Sequence, residues 1–146
     1  PLEIFTGNDG EVILKKYSPI LDLSEFAVEY VESLYETYGT PTLLSDRDEI
    51  IAVAGMPKKE YVGRRISSAC EDILNERKVI LEKIENVLEL VPGQYEQVKS
   101  YVVAPILLNG DLIGAVYLLS KDEAMSDVEQ KGAEVAAKFL AKQMQQ

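Results

Sequence analysis

The chain of 146 residues contains no histidine and a single cysteine, Cys70. Without histidine it lacks the commonest general base, the serine–histidine and cysteine–histidine nucleophile pairs, and the usual ligands of most zinc sites. One cysteine cannot form a disulfide within the chain, which is compatible with the cytosol. No apolar run is long enough to form a membrane-spanning helix. We therefore expect a cytoplasmic protein with no catalytic residues, no metal site, no cofactor and no membrane contact.

Positive charge is also scarce. Fifteen Lys and Arg residues stand against 25 Asp and Glu residues, which gives a formal net charge of -10. This balance argues against nucleic-acid binding over a broad surface, because phosphate contacts require clustered Lys and Arg. One basic cluster could hold an anionic ligand, although charge runs more often lie on a solvated helix face. Its members are Lys58, Lys59, Arg64 and Arg65.

Two further groups of residues suggest chemistry but have simpler explanations. Cys70 has neither a histidine partner nor a second thiol, and its helical, apolar surroundings favour a buried structural cysteine. Asp46 and Asp48 suit a hard cation, but two acids in a tight turn are more often turn formers, and a calcium loop needs several more ligands. The glycines sit at separate turns and form no phosphate-binding loop. These residues therefore do not predict an enzyme.

The order of the predicted elements indicates an α+β fold, with one antiparallel sheet flanked by helices. Apolar periodicity and capping residues predict helices over residues 23–38, 58–63 and 68–78, and a last helix from Ser126, which forms a capping box with Glu129. Strands are predicted over residues 1–5, 11–15, 42–46, 49–54, 99–108 and 112–120. The last two flank Asn109-Gly110, a strong hairpin signal. Residues 79–91 fit a helix, although residues 86–91 fit a strand equally well.

The first predicted hairpin needs a partner. A lone two-stranded hairpin is at best marginally stable in water, and the remaining chain does not obviously supply a surface to cover it. The sequence also begins at Pro1 without an initiator methionine. We interpret residues 1–17 as the tail of a truncated domain and residues 18–146 as a complete second domain.

The segments PLEIF at 1–5 and DGEVILKKYSPI at 9–20 resemble the last two strands of an AbrB-type swapped-hairpin DNA-binding domain. Residues 46–48, 58–61, 109–116 and 139–144 resemble the C-terminal half of AbrB-type sporulation regulators. This resemblance implies a GAF domain, a class of small-molecule sensor, and a strand at residues 86–91. It also implies that the main basic DNA-contacting residues lie in an absent N-terminal half. DNA would be bound only through that half.

The resemblance places a ligand pocket between one sheet face and the helices that follow the second GAF strand. The implied ligand-binding residues are Ser45, Ile51, Tyr61, Arg64, Ile66, Ser67, Cys70 and Tyr101. Arg64 or Arg65 would anchor an anionic group, because a guanidinium can bind a carboxylate or phosphate with two bonds. A pocket lined by polar side chains would favour a ligand sensor, whereas one packed shut would favour a dimerisation module with no ligand. A GAF-type redox enzyme is disfavoured because Cys70 is the only thiol.

The first and last helices of the second domain each present a broad apolar stripe, whereas a small sheet needs only one helical layer per face. We expect these helices to pack with those of another subunit as a four-helix bundle, giving a homodimer or a higher homo-oligomer. The expected interface residues are Leu23, Phe26, Ala27, Tyr30, Leu34, Val128, Gly132, Val135, Ala136 and Phe139. The predicted function is a small-molecule-sensing and dimerising domain of a sporulation transcription regulator.

Overall fold

A computed structural model describes the backbone of residues 2–6, 12–16 and 24–144, and the side chains of residues 26–144. The helices are α1 (Ser24–Tyr38), α2 (Lys58–Tyr61), α3 (Ser68–Asn75) and α4 (Asp127–Gln143). The strands are β1 (Leu2–Thr6), β2 (Val12–Lys16), β3 (Thr42–Asp46), β4 (Ile50–Ala54), β5 (Ile80–Glu82), β6 (Asn86–Val91), β7 (Gln94–Val98), β8 (Ser100–Leu108) and β9 (Asp111–Ser120). None of the described helices is long and apolar enough to cross a membrane.

The first two strands form the predicted antiparallel pair. Leu2 lies opposite Lys16, and Thr6 lies opposite Val12. Residues 7–11, which connect the strands, lie outside the described residues. The assignment of residues 1–17 and 18–146 to different domains stays a prediction.

The main sheet has five strands in the order β4-β3-β9-β8-β5, and every neighbouring pair is antiparallel. Its longest pairing is the predicted hairpin of β8 and β9. Asn109 and Gly110 at its turn have φ values of 54° and 85°, and both are positive as a two-residue type I′ turn requires. The pairing register shifts between Ile106 and Leu107, whereas Pro105 pairs in register with Ala115. The local sequence therefore determines the turn of this hairpin.

Helices α1 and α4 pack on one face of this sheet. Ala27 and Val31 of α1 are fully buried there, and Ala133, Ala136 and Ala137 of α4 are at most 3% exposed. Small side chains allow the α4 backbone to approach the sheet closely. The opposite face is covered by α2, α3 and the two-stranded sheet of β6 and β7, which form a second core cluster. The fold is thus a sheet between two different covering layers.

The helix ends follow local chemistry. Gly39 has a φ of 72°, and its N–H donates to the carbonyl of Tyr35 over 2.7 Å, which ends α1 as a glycine C-cap does. The capping box of Ser126 and Glu129 is present at the start of α4. Helix α3 is shorter than predicted, because the chain leaves the helix near Arg77, which has a φ of 55°.

The segment that fits both a helix and a strand in sequence contains no helix. Residues 79–91 contain β5 and β6, so the strand interpretation of residues 86–91 is confirmed and the helical one is wrong. Strand β7 was not predicted. Its sequence QYEQV offers only Tyr95 and Val98 as apolar residues, and this is too weak an alternation to indicate a strand. The pairing with β6 supplies what the local pattern lacks.

Candidate functional site

The predicted ligand site corresponds to the space between the sheet and the layer formed by α2, α3 and β6. Six of the eight predicted residues lie on this side and are at most 7% exposed. They are Ser45, Tyr61, Ile66, Ser67, Cys70 and Tyr101. Their neighbours in the same cluster include Leu43, Val53, Leu74, Leu90 and Val103. These side chains are therefore closed off from solvent.

A buried polar cluster lies within this apolar layer and centres on Tyr117 of β9. The Tyr117 hydroxyl is 2.7 Å from Ser45 Oγ and 3.3 Å from Cys70 Sγ. All three side chains have zero exposure. Burial, followed by the influence of the Cys70 thiol, raises the pKa of Tyr117 well above its ordinary value. The cluster is neutral at physiological pH, and its members satisfy one another without solvent.

Tyr117 was not among the predicted site residues. The segment AVYLL at 115–119 is apolar throughout. Without alternation of polar and apolar residues, the sequence does not show which residues face which covering layer. The polar hydroxyl in an otherwise apolar strand was the available signal, because a buried tyrosine hydroxyl usually has a hydrogen-bond partner.

Ser67 fixes the start of α3. Its Oγ accepts a hydrogen bond from the N–H of Cys70 over 3.0 Å and donates to the carbonyl of Glu89. The Ser67 N–H donates to the carbonyl of Leu90 over 2.7 Å. A serine at this N-cap position satisfies one of the free N–H groups of the first turn. Ser67 is therefore a structural link between α3 and β6, with both its polar groups engaged.

Tyr61 links the short helix α2 to β7 through its hydroxyl. Its hydroxyl donates to Glu96 Oε1 over 2.6 Å, while Glu96 Oε2 lies 3.1 Å from Lys121 Nζ. Burial first, and then the hydrogen bond to Glu96, raise the pKa of Tyr61. The contact joins the short helix α2 to β7 and helps to hold the covering layer against the sheet.

The thiol of Cys70 is poorly suited to nucleophilic chemistry. Burial raises its pKa to about 11, and the hydrogen bond with Tyr117 opposes only part of that effect. A thiol rather than a thiolate is therefore present near neutral pH, and the thiolate is the reactive form. This agrees with the expectation of a buried structural cysteine.

The two remaining predicted ligand residues lie elsewhere. Ile51 packs in the core on the α1 and α4 side, whereas its neighbour Ile50 faces the predicted site. Arg64 is exposed, as is Arg65, because the segment they belong to pairs along the edge of β4: the N–H of Ile50 donates to the carbonyl of Arg64 over 2.9 Å. Neither guanidinium is placed inside the layer.

The acidic turn has a structural role. Asp46 Oδ1 accepts hydrogen bonds from the N–H groups of Asp48 and Glu49 over 2.7 and 2.8 Å, which is the geometry of an Asx turn. Burial raises the pKa of Glu49, and the charges of Asp46 and Asp48 add to that rise. Within the described part of the chain, no group of three or more Cys, Asp or Glu residues is arranged to hold a metal ion.

The predicted interface residues fall into two sets. Ala27 and Ala136 are at most 1% exposed and pack in the chain's own core, so a partner cannot reach them. Gly132 is half-buried, and a Cβ atom built on it would lie 2.0 Å from the hydroxyl of Tyr38 of the same chain. Leu34 is half-buried against the core. The side chain of Leu23 lies outside the described residues.

The other interface residues share one outer surface. Val128, Val135 and Phe139 of α4 are 64%, 62% and 40% exposed. The ring of Phe139 stacks on Phe26 of α1 at a centroid distance of 5.9 Å and lies 5.7 Å from Tyr30. We call these five residues the outer α1–α4 surface. It joins both helices into one apolar face directed away from the sheet.

Comparison with known proteins identifies the family and the fold. Residues 22–145 match the family described as Stage V sporulation protein T C-terminal, transcription factor. The chain is 51% identical over all of its 146 residues to Stage V sporulation protein T of Bacillus subtilis, and covers 82% of that protein.

Two solved structures illustrate the similarity in fold. The GAF domain of a phosphoenolpyruvate-protein phosphotransferase from Coxiella burnetii is 15% identical, with a TM-score of 0.70 over 84% of this chain and 82% of that one. The cofactor-binding GAF domain of the nutrient sensor CodY from Clostridium difficile is 14% identical, with a TM-score of 0.61 over 88% of this chain and 99% of that one. At these identities the likeness concerns the fold alone, and the predicted GAF fold is confirmed.

Proposed function

The chain belongs to the Stage V sporulation protein T C-terminal family of transcription factors, and from this membership we propose that its GAF domain is the dimerising regulatory module of a sporulation regulator. One observation carries the choice of dimerisation over ligand sensing. The outer α1–α4 surface is apolar and accessible, whereas six of the eight predicted ligand-binding residues are buried and closed off from solvent. The domain holds two copies of the regulator together and has no catalytic role. DNA binding belongs to a separate basic region, and the regulator acts in the cytoplasm.

The spacing of the α4 residues supports this assignment. Val128, Val135 and Phe139 follow one another at intervals of seven and four residues, a spacing that places them on one side of the helix, as in a seam between packed helices. The opposite stripe of α4, with Ala133, Ala136, Ala137, Leu140 and Ala141, is already buried on the sheet. A helix with two apolar stripes can pack on two neighbours, and only one of them is the chain's own sheet.

The geometry of α1 complements this seam. A groove of about 210 Å³ lies on α1, lined by Phe26, Glu29, Tyr30 and Ser33. Across a twofold axis the same surface meets itself, so an exposed α4 side chain of one copy can enter the aromatic groove of the other. Complete burial of a side chain the size of Val135 or Phe139 contributes about 1.5–3 kcal/mol to the free energy of association. Placing a charge in the seam would therefore oppose association.

Sedimentation analysis of single variants tests the proposal. We expect the wild type to sediment as a dimer, and Val135→Glu and Phe139→Asp to sediment as folded monomers. Val87→Glu is the matched control, because Val87 is 56% exposed but belongs to β6, away from both helices. The proposal fails if the wild type is monomeric at high protein concentration. It also fails if Val87→Glu dissociates the dimer as much as Val135→Glu does.

Ligand sensing is the second candidate, and the buried cluster of Ser45, Cys70 and Tyr117 favours it. Three polar side chains inside an apolar layer are the kind of groups that orient a small ligand, and the structural neighbour from CodY is described as cofactor-binding. Entry would require the layer of α2 and α3 to move. The predicted pocket residues then become accessible, and Arg64 or Arg65 would fold over an anionic group.

A thermal-shift screen of nucleotides, amino acids and phosphorylated metabolites tests this second candidate. Binding to the folded state raises the melting temperature by mass action. A compound that acts at this site should stabilise Arg64→Ala or Arg65→Ala less than the wild type. Equal stabilisation of both variants contradicts the anchor assignment, and the absence of any shift leaves dimerisation as the function.

A further inference from the structure

A groove of about 310 Å³ lies on the other side of the sheet from the predicted ligand site, between α4, β8 and the connection from α3 to β5. Its apolar lining consists of Val79, Pro105, Leu107 and Ala137. The volume reaches the lower end of the range typical of small-molecule pockets. None of the residues predicted to bind a ligand lines it, so it is a separate site.

The charged lining of this groove differs from the rest of the chain. Three cations, Arg77, Lys78 and Lys138, line it together with one acid, Glu134, although the chain as a whole carries a net charge of -10. The local balance is therefore positive where the average surface is negative. The groove combines a concentration of positive charge with an apolar wall.

The lysines are held only by weak partners. Lys138 Nζ lies 3.4 Å from Glu134 Oε1, and Lys78 Nζ lies 3.7 Å from Glu76 Oε1, with both ammonium-bearing side chains about 70% exposed. Ion pairs this exposed contribute little to stability. Both ammonium groups are thus free to turn toward a bound anion at small cost.

Arg77 is held in place at unusual backbone geometry. Its φ of 55° lies in the left-handed region, where glycine is the usual residue at the end of a helix. Its Nη1 donates to the carbonyl of Gly110 in the β8–β9 turn over 2.8 Å. This bond uses one of the five N–H donors of the guanidinium and orients the others. Arginine is less favourable than glycine at this φ, and its side chain is held by the bond to the Gly110 carbonyl.

We propose that this groove binds a small amphipathic anion, a carboxylate or phosphate attached to an apolar body. The anionic group lies on the oriented guanidinium of Arg77 and is neutralised further by Lys138, while the apolar body packs against Pro105 and Leu107. Arg suits the anionic group because its planar donors match carboxylate and phosphate oxygens. This inference does not depend on the dimer or on the site beside Tyr117.

Backbone amide NMR titrations with four probes test the site on the whole chain. Phenyl phosphate and 4-phenylbutyrate carry both required features, inorganic phosphate carries only the charge, and benzyl alcohol carries only the apolar body. We expect the first two to shift the amides of residues 77–79, 106–107 and 134–138 saturably. Inorganic phosphate and benzyl alcohol should each bind at least about tenfold more weakly, because the first lacks the apolar contacts and the second lacks the ionic ones.

Arg77→Gly is the informative variant, because glycine accepts the same positive φ and the fold is retained. It should bind both amphipathic anions about tenfold more weakly, which is the usual cost of losing a hydrogen bond to a charged group. Lys138→Gln should weaken them less, and Arg65→Ala, an exposed arginine elsewhere, should leave them unchanged. The proposal is overturned if Arg77→Gly binds as tightly as the wild type. It is also overturned if inorganic phosphate binds as tightly as phenyl phosphate, or if the shifts map to other residues.

Discussion

Removing the hydroxyl of Tyr117 is the most direct perturbation of the buried polar cluster. Tyr117→Phe keeps the ring and its packing but deletes the atom that lies 2.7 Å from Ser45 Oγ and 3.3 Å from Cys70 Sγ. The hydroxyl of Ser45, which is fully buried, then loses this partner. Water cannot replace it without opening the layer between the sheet and α3.

The expected cost follows from that loss. Leaving a buried polar group without a partner costs about 1–3 kcal/mol, more than the net value of an average hydrogen bond. For a chain of this size, each kcal/mol lowers the melting temperature by roughly 2–4 °C. Ser45→Ala should cost less, because the Tyr117 hydroxyl keeps its contact with Cys70. In the double variant Tyr117→Phe/Ser45→Ala no serine hydroxyl is left unpaired. Its loss of unfolding free energy should therefore be smaller than the sum of the two single losses by about 1 kcal/mol.

Urea denaturation followed by circular dichroism measures these free energies at one fixed protein concentration, which is necessary because association would add to apparent stability. Tyr95→Phe is the matched control, since Tyr95 is 66% exposed, and it should change stability by less than about 0.5 kcal/mol. The reasoning is refuted if Tyr117→Phe is as neutral as this control. Strict additivity in the double variant would equally show that the two hydroxyls do not depend on each other.

Three further predictions follow from single contacts. Since the folded-state pKa of Cys70 is raised to about 11 from an ordinary value of 9.0, its contribution to stability is complete below pH 9 and declines by up to about 1.4 kcal/mol per pH unit between pH 9 and 11. Urea titrations should show a shallower decline for Cys70→Ala, and an identical slope would contradict the assignment. Gly132→Ala places a Cβ atom 2.0 Å from the Tyr38 hydroxyl, so the usual helical gain of about 1 kcal/mol should appear only in a Tyr38→Ala background. Equal effects of Gly132→Ala in both backgrounds would exclude the clash. Asp46→Ala removes the acceptor of two N–H groups and should cost about 1–2 kcal/mol, whereas Asp46→Asn should cost less; a thermal melt in which both variants are equally stable would contradict this role of the turn.

The sequence alone determined the features that depend on neighbouring residues. The capping box of Ser126 and Glu129 placed the start of α4, and Asn109-Gly110 placed the β8–β9 turn, because each acts through backbone conformations a few residues apart. Apolar periodicity likewise predicted α1 and its end at residue 38, because helical spacing relates residues three and four positions apart. The family resemblance added the GAF fold and the strand at residues 86–91.

Only the tertiary structure decided which residues meet across the sheet. Ile50 and Ile51 are both apolar in a strand that is buried on both faces, so the sequence could not tell which one faces α3. Pairing of the Arg64 segment with β4 placed that guanidinium outside, and pairing with β6 made a strand of the polar segment 94–98. The partnership of Tyr117 with Ser45 joins residues 72 positions apart. Such contacts depend on register and packing between distant segments, and a local pattern contains no information about either.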